Sequence, residues 1–327
     1  MIENKNFSIW IFGAGYWAKI LIPKISLKFT NANIYIVDEV EENAFLIQKN
    51  YGQVEISSKM HFKEFAKAGD LCFVLTPPAS HASVIATVLE KHCHCWVEKP
   101  FTIDPDTAAY LYQLAKLNKC VLFVDHTFTF DPLIKRAKDE CGNLKIQNVI
   151  SIRHGWGKVL PKYGVLWDLL PHDLSIVNFV FGEIVKAEVV NEIAINVDGI
   201  ETTVSADIKI ATERQSNILV SLSCISKTKL REIQIFSEPN LITYSLTPTG
   251  SALEILNYVR IPGASGNNVD QGLSLIFKNE SDSLLNALSV FENYINSDNF
   301  ESNLDYASRE VEIICKLVKD GIYNKSI

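Results

Sequence analysis

Short, uninterrupted apolar runs alternate with segments of helical periodicity over roughly the first 125 residues. Runs without in-and-out alternation are typical of strands buried on both faces of a parallel sheet, with helices covering that sheet. The predicted strands are Phe7–Phe12, Ile34–Val37, Leu71–Leu75, Cys93–Val97 and Cys120–Val124. The predicted helices lie near Trp17–Lys28, Glu41–Asn50, Ser80–Lys91 and Pro105–Leu117. The segment Gln53–Lys67 fits either a short strand or a short helix. Residues 1–125 are therefore predicted to form a doubly wound α/β domain.

The pattern changes after Asp125, where long stretches of alternating apolar and polar residues begin to dominate. Such alternation is typical of antiparallel strands with one solvated face. The predicted helices here are Asp131–Glu140, Leu169–Phe181, Ser281–Ser297 and Tyr306–Lys319. The predicted strands include Ile146–His154, Ala187–Val197, Thr203–Ala211, Ile218–Ser226 and Glu232–Phe236. Residues 126–327 are predicted to form an α+β domain on a large open, mostly antiparallel sheet, which binds substrate and mediates oligomerisation.

Composition and charge narrow the class of partner. The 327 residues carry a formal net charge of −7, which gives no electrostatic basis for binding a phosphate backbone, so a small molecule is expected rather than nucleic acid. No apolar run approaches the roughly 18 to 20 residues of a membrane span, and the first residues do not resemble a signal peptide. The seven cysteines are odd in number and mostly lie in apolar runs, as expected of reduced thiols. We expect a soluble, cytoplasmic protein.

A glycine pattern follows the first predicted strand directly. It matches G-x-G-x-x-G/A at a strand-to-helix turn, which is the pattern of dinucleotide-binding domains of the Rossmann type. Gly13 permits a tight turn, Gly15 lets the backbone approach a pyrophosphate, and Ala18 lets the helix and sheet pack closely. The predicted cofactor-binding residues of this turn are Gly13, Ala14, Gly15, Tyr16, Trp17 and Ala18.

An acidic residue ends the second predicted strand. Asp38 follows Ala18 by 20 residues, where a carboxylate accepts hydrogen bonds from the ribose hydroxyls of NAD. Asp38 and Glu39 would repel the 2′-phosphate of NADP, and no arginine stands beside Asp38 to receive it. The sequence therefore favours NAD over NADP as cofactor.

Two further strands end in residues suited to the same cleft. The fourth predicted strand runs into Thr76-Pro77, with His81 soon after, and the fifth ends in Glu98-Lys99. Ligands of such sheets lie beyond the carboxyl ends of the strands, so all five residues are predicted to bind the cofactor. The following Lys99–Pro100 bond is a candidate cis peptide.

Together these motifs resemble the glucose–fructose oxidoreductase / inositol dehydrogenase / rhizopine catabolism (Gfo/Idh/MocA) family. The resemblance extends into the second half through Phe130-Asp131-Pro132, Gly142-Asn143-Leu144 and Trp167-Asp168-Leu169-Leu170-Pro171-His172-Asp173. The last of these looks like the family's D-x-x-x-H motif. It implies that the chain oxidises or reduces its substrate with a nicotinamide cofactor.

The resemblance also implies the catalytic residues. Oxidation of an alcohol needs a base for the proton and a donor that stabilises the reacting oxygen. His172 is the implied general base, Asp168 contacts the substrate or orients the imidazole, and Lys99 bonds the reacting oxygen. Whether Lys99 or His172 takes the proton stays open. Because Asp168 and His172 are four residues apart, they are expected to share one face at the start of a helix.

The chain departs from the family pattern at two places. Asp125-His126-Thr127-Phe128-Thr129 stands where many members have an Asn-Arg pair, which leaves the roles of Thr127 and Thr129 open. The Trp-Asp-Leu-x-Pro-His-Asp run resembles a subgroup associated with nucleotide sugars, which makes Arg153, Trp156 and Trp167 candidates for substrate contact. The run His92-Cys93-His94-Cys95 is not expected to bind metal, because neighbouring residues of a strand point to opposite faces and no second Cys/His cluster completes a tetrahedral set.

Residues and resemblance together predict an NAD-dependent oxidoreductase. It is expected to transfer a hydride between nicotinamide and a ring hydroxyl or keto group of a sugar. The favoured substrate is a nucleotide sugar of surface-polysaccharide metabolism. The alternatives are an NAD-dependent glycosidase of the same fold, a free sugar or inositol dehydrogenase, and a non-catalytic NAD- or sugar-sensing protein. The outer face of the open sheet requires cover by a partner subunit or by the tail helices, so we expect a homodimer or homotetramer.

Overall fold

The computed structural model describes residues 7–142, 144–157, 163–215, 217–237, 240–247, 250–262, 268–279, 282–297 and 303–320. The chain divides into two compact units. The first comprises Met1–Asp125 and Leu284–Cys315, and the second comprises His126–Ser283 and Lys316–Ile327. The sequence-based division at residue 125 did not include the return of Leu284–Cys315 to the first unit.

A six-stranded sheet lies at the centre of the first unit. Its strands are β1 (Ser8–Phe12), β2 (Asn33–Val37), β3 (Val54–Ser57), β4 (Leu71–Val74), β5 (His94–Val97) and β6 (Leu122–Val124). The order is β3-β2-β1-β4-β5-β6, and all neighbouring strands are parallel. The order reverses direction at β1, between β2 and β4, which is where doubly wound sheets bind their ligands. The predicted doubly wound parallel sheet is confirmed.

Helices alternate with these strands, as the periodicity predicts. They are α1 (Tyr16–Lys28), α2 (Glu41–Asn50), α3 (Lys59–Phe65), α4 (Pro78–Glu90) and α5 (Pro105–Leu117). The ambiguous segment Gln53–Lys67 contains both a strand, β3, and a helix, α3. Trp96 on β5 packs between Phe73 and Phe123 of the flanking strands, with ring centroids 5.8 and 4.7 Å away.

The returning segment adds two helices to the first unit, α9 (Ser283–Asn296) and part of α10 (Leu304–Asp320). Phe291 of α9 is fully buried and lies 5.7 Å from the ring of Trp96. Just before α10, the side-chain amide of Asn303 accepts from the Val124 N–H and donates to the Val124 carbonyl, at 3.0 and 2.6 Å. Asn303 therefore satisfies the backbone of the edge strand β6 as a further strand would.

The second unit contains helices and an eight-stranded sheet. The helices are α6 (Pro132–Cys141), α7 (Gly164–Asp168) and α8 (Leu170–Phe181), and a 3-10 turn spans Thr127–Phe130. The strands are β7 (Ile146–Trp156), β8 (Ile184–Val197), β9 (Ile200–Thr212), β10 (Ile218–Ser223), β11 (Ile225–Ser237), β12 (Asn240–Thr247), β13 (Gly250–Pro262) and β14 (Asn268–Asn279). The order is β14-β13-β12-β11-β7-β10-β9-β8, and only β7 and β10 are parallel neighbours. The predicted mostly antiparallel sheet is confirmed.

Two sequence-based boundaries in this unit need correction. The predicted strand Ile218–Ser226 is divided at Cys224, because the chain passes from one side of β7 to the other there and the Cys224 carbonyl accepts from Gly157. The predicted strands also did not include β12 to β14. Over the described ranges, no helix is both long and apolar enough to cross a membrane.

Candidate functional site

The glycine turn of the first unit is shaped by the close approach of β1 and β4. Gly13 has φ +99°, and a Cβ there would lie 2.8 Å from the carbonyl oxygen of Leu75. At Gly15, by contrast, a Cβ would meet no atom within 4 Å. Gly15 is also the N-cap of α1, which has neither a side-chain cap nor an acidic residue in its first turn. The backbone N–H groups at this end of α1 thus suit a pyrophosphate.

Asp38 lies beside this turn. Its carboxylate accepts hydrogen bonds from the Ala14 and Val40 N–H groups at 2.6 and 2.8 Å. These bonds fix a negative charge just after β2, next to the glycine turn. Of the other predicted residues here, Ala18 is fully buried against the sheet, while Tyr16 is 73% exposed. The Tyr16 ring packs edge-on against Trp17, with ring centroids 5.6 Å apart.

His81 joins two of the predicted cofactor loops. It is fully buried on α4, and its ring nitrogens lie 2.7 Å from the carbonyl oxygen of Thr76 and 2.9 Å from that of Pro100. Burial lowers the pKa of His81, and the charge of Lys99 lowers it further. The imidazole therefore ties the loop after β4 to the loop after β5, and neighbouring Pro77 is exposed.

Lys99 stands among buried carboxyl groups. The carboxyl of Glu98 is buried, and burial together with the nearby Asp125 raises its pKa well above the usual range. The positive charge of Lys99 opposes that shift. The Lys99–Pro100 peptide bond is cis, as predicted. The end of β5 thus presents a cation with two acidic groups behind it.

A third acidic group reaches Lys99 from the C-terminal helix α10. Glu310 is fully buried, and burial raises its pKa well above the usual range against the opposing effects of Tyr306 and Lys99. Tyr306 lies one helical turn earlier and interacts with the Glu310 carboxyl. Neither Tyr306 nor Glu310 was predicted from the sequence. An acidic residue on the apolar face of the predicted tail helix was the signal that could have found Glu310.

In the second unit, Asp168 and His172 lie on consecutive short helices. Asp168 ends α7, and His172 is in the first turn of α8. The expected single helix start is therefore corrected to two helices that meet at Leu169. The physical reason is Pro171, which has no N–H to continue the hydrogen-bond ladder of α7. Leu169 keeps helical backbone angles, so the chain remains nearly helical between Asp168 and His172.

Gly164 sets the position of α7. Its φ is +55°, and a Cβ there would lie 2.6 Å from the carbonyl oxygen of Thr203 on β9. Only glycine allows the start of α7 to approach the backbone of β9 this closely. Three residues later, the Trp167 ring is 6% exposed and belongs to the core of the unit. Gly164 thereby controls the helix that presents Asp168.

The substrate candidates on β7 differ in exposure. Trp156, at the end of the strand, is 77% exposed. Arg153 is buried, and its Nε donates to the Asp173 carboxylate at 2.6 Å. The guanidinium therefore has a partner within the unit. Over the described residues, no three His, Cys, Asp or Glu side chains are grouped as a metal site requires.

Residues 7–126 match the family model GFO_IDH_MocA, described as an oxidoreductase family with an NAD-binding Rossmann fold. The first unit of the chain therefore resembles the NAD-binding domain of the Gfo/Idh/MocA oxidoreductases. The predicted resemblance to this family is thus confirmed for the Rossmann domain. Across 66 residues, 20% of the chain, the sequence is 32% identical to the UDP-N-acetylglucosamine 3-dehydrogenase of Acidithiobacillus ferrooxidans. The sequence alignments span 21% of that relative and 55% of the uncharacterized oxidoreductase YrbE of Bacillus subtilis.

Solved structures share the fold over nearly the whole chain. The UDP-N-acetylglucosamine 3-dehydrogenase GnnA from Acidithiobacillus ferrooxidans has a TM-score of 0.78 at 18% identity, over 97% of this chain and 98% of that one. KijD10, a 3-ketoreductase from Actinomadura kijaniata in complex with TDP-benzene and NADP, has a TM-score of 0.77 at 14% identity, over 97% and 96%. GenD2 from gentamicin A biosynthesis, in complex with NAD, has a TM-score of 0.77 at 15% identity, over 97% and 94%.

Proposed function

We propose that the whole chain is a member of the Gfo/Idh/MocA family and an NAD-dependent dehydrogenase of a nucleotide sugar, acting at the C3 hydroxyl of the sugar ring. The observation that carries the proposal is the glycine turn, where Gly15 leaves open space before the uncapped start of α1. The C3 position is taken from two structural neighbours, a 3-dehydrogenase and a 3-ketoreductase. The proposed setting is surface-polysaccharide metabolism in the cytoplasm.

The proposed preference for NAD over NADP rests on Asp38. A 2′-phosphate beside this carboxylate would meet a fixed negative charge, whereas ribose hydroxyls would donate hydrogen bonds to it. The neighbouring Glu39 is engaged with Lys59, whose Nζ lies 2.6 Å from a Glu39 carboxylate oxygen. Structural neighbours bind either cofactor, so the choice follows from the residues of this chain.

The proposed catalytic residues are Lys99, Asp168 and His172. His172 takes the proton of the hydroxyl that is oxidised, and Asp168 orients the imidazole or contacts the sugar. Lys99 donates a hydrogen bond to the reacting oxygen, where negative charge develops. The cofactor supplies the hydride acceptor at its nicotinamide ring. Glu98 and Glu310 both interact electrostatically with Lys99, and in this proposal they help to position its side chain.

The proposed substrate contact outside these residues is Trp156. Its exposed indole face suits stacking on a sugar or a base. Arg153 and Trp167 are buried, and so contribute through packing. We also propose that residues 126–327 form a homodimer or homotetramer through their open sheet, whose β8 exposes Val190, Ile193 and Ile195. Light scattering that finds a monomer would contradict this oligomer.

The test is NADH formation with a panel of UDP-N-acetylglucosamine, its uronate, free hexoses and inositols. We expect NADH only with the nucleotide sugars and loss of activity in His172→Ala and Lys99→Ala, with NAD binding retained in His172→Ala. Turnover of free sugars or inositols alone would reassign the substrate. Glycoside cleavage without net NADH would show a glycosidase, and NAD binding without any turnover would show a sensing protein.

A further inference from the structure

A buried carboxylate, that of Asp173, joins the first turn of α8 to the sheet of the second unit. Asp173 accepts from Arg153 Nε at 2.6 Å and from Arg153 Nη2 at 3.4 Å. The Ser151 hydroxyl donates to the same carboxylate at 2.7 Å. The side chains of Arg153 and Asp173 are 8% and 1% exposed. Two residues of β7 that point to one face therefore hold the first turn of α8.

An aromatic ring connects this ion pair to His172. The Phe128 ring lies 4.9 Å from the guanidinium carbon of Arg153. The same ring meets the His172 imidazole edge-to-face, with centroids 5.0 Å apart and planes at 85°. His172 precedes Asp173 in the chain, so the contacts form a closed loop that runs from His172 through Phe128 and Arg153 to Asp173.

Stability alone does not account for this arrangement. Burying two opposite charges costs desolvation that their attraction does not reliably offset, and apolar residues of similar size often stabilise a fold as well. A buried carboxylate that accepts several hydrogen bonds does fix the orientation of the helix that carries it, because each hydrogen bond constrains that helix. Here the Asp173 carboxylate constrains the orientation of the α8 turn that carries His172.

We propose that Ser151, Arg153, Asp173 and Phe128 form a clamp that sets the orientation of the His172 imidazole. Asp173 and its two partners fix the backbone of the helix turn, and Phe128 fixes the ring by packing against it. All four are positioning residues that act through His172. The proposal rests on the proposed role of His172 as general base, and it assigns Arg153 to the clamp and not to the substrate.

The experiment compares variants of the clamp with a matched variant at the other end of α8. Arg153→Met/Asp173→Asn removes both charges together, which avoids leaving one buried charge unpaired. Phe128→Leu removes the ring contacts with Arg153 and His172, and Ser151→Ala removes one hydrogen bond to Asp173. Both variants keep the ion pair, so they preserve the test if the double variant does not fold. The control is Thr212→Val, because the Thr212 hydroxyl donates to the Phe181 carbonyl at 2.8 Å at the end of α8.

Two measurements are made on each folded variant. The first is the NMR signal of the His172 imidazole in the whole protein without substrate, assigned with His172→Ala. The second is kcat and KM with the nucleotide sugar found in the panel above. A double-mutant cycle repeats each substitution in the His172→Ala background.

The clamp predicts that Phe128→Leu and the charge-free double variant shift and broaden the His172 signal and lower kcat by on the order of ten- to a hundredfold. KM for NAD stays unchanged, and no further loss occurs in the His172→Ala background. Thr212→Val is expected to lower the melting temperature and leave signal and kcat intact. An unchanged His172 signal in the folded clamp variants would overturn the clamp. Full activity of His172→Ala would instead refute the proposed base, while the NMR comparison still tests the clamp.

Discussion

Replacing Gly15 by alanine separates cofactor binding from folding. Gly15 has φ −80° and ψ −155°, which alanine adopts without strain, and its added Cβ meets no protein atom within 4 Å. The methyl group would enter the open space at the start of α1, where the proposed pyrophosphate approaches the backbone. The fold should therefore tolerate the alanine, whereas NAD binding should be weakened.

The magnitudes follow from these two environments. Replacing a glycine by alanine in a compatible conformation stabilises a protein by about 0.4 to 1 kcal/mol, because the unfolded chain loses freedom. A hydrogen bond to a charged group contributes about 1.5 to 3 kcal/mol. Loss of one such bond to the pyrophosphate therefore weakens NAD binding by roughly 10- to 150-fold.

Gly13→Ala is the matched comparison, because it lies in the same turn but against the sheet. Its φ of +99° and the 2.8 Å approach to the Leu75 carbonyl oxygen give an alanine both backbone strain and a clash with main-chain atoms. We expect a loss of about 2 to 4 kcal/mol in the free energy of unfolding.

The assay combines NADH titration by fluorescence with urea unfolding of both variants. The expected pattern is a folded Gly15→Ala protein with weak NADH binding and a destabilised Gly13→Ala protein. Wild-type NADH affinity in Gly15→Ala would refute the argument that this turn binds the pyrophosphate.

Three further predictions concern buried groups. Burial lowers the pKa of His126 from 6.5 to about 3, so at pH values between these the unfolded chain binds a proton at His126 and the folded chain does not. Stability is therefore lost as pH falls from about 6.5 towards 3, by about 3 kcal/mol between about pH 7 and pH 4. Urea unfolding should show that this loss is absent in His126→Gln. The raised pKa of Glu310 makes stability depend on pH in the opposite direction, because the folded carboxyl keeps its proton above the ordinary pKa of 4.5. The wild type therefore loses stability as pH rises from about 5 to 8, and Glu310→Gln should gain stability relative to it over this range. Gly164→Ala should push α7 away from β9, lowering kcat at least about tenfold with NADH affinity unchanged.

Each of these has a control. Replacing the exposed His92 by Gln should leave the acid loss of stability as in the wild type, and an unchanged loss in His126→Gln would contradict the argument. Exposed Glu312, on the same helix as Glu310, serves as the control for the Glu310 prediction. Equal pH dependence of stability in Glu310→Gln and Glu312→Gln would contradict that prediction. Gly199→Ala has φ +83° but no atom within 4 Å of its added Cβ, so wild-type kcat is expected there.

Local patterns predicted much of the first unit. The apolar runs of β1 and β2 and the glycine turn are signals carried within a few neighbouring residues, and their boundaries agree with the structure to within one residue. Helices α2 and α5 also agree, since acidic or proline residues mark their starts. The family motifs then led to Lys99, Asp168 and His172 without any knowledge of the fold.

Features that depend on distant residues could not be predicted in this way. Glu310 lies more than 200 residues after Lys99, and only the return of α10 to the first unit places them together. Arg153 was predicted as a substrate contact, because nothing near it in the chain shows that Asp173 accepts from it. The division of Ile218–Ser226 at Cys224 similarly depends on the pairing of both halves with β7.

The central claim is that a hydride passes from a nucleotide sugar to NAD on this protein. The most direct test incubates the enzyme with NAD and UDP-N-acetylglucosamine carrying deuterium at C3, and follows both products by mass spectrometry. The account predicts deuterated NADH and a 3-keto nucleotide sugar in equal amounts, with neither formed by His172→Ala. Unlabelled NAD and unchanged sugar in the presence of bound cofactor would contradict it.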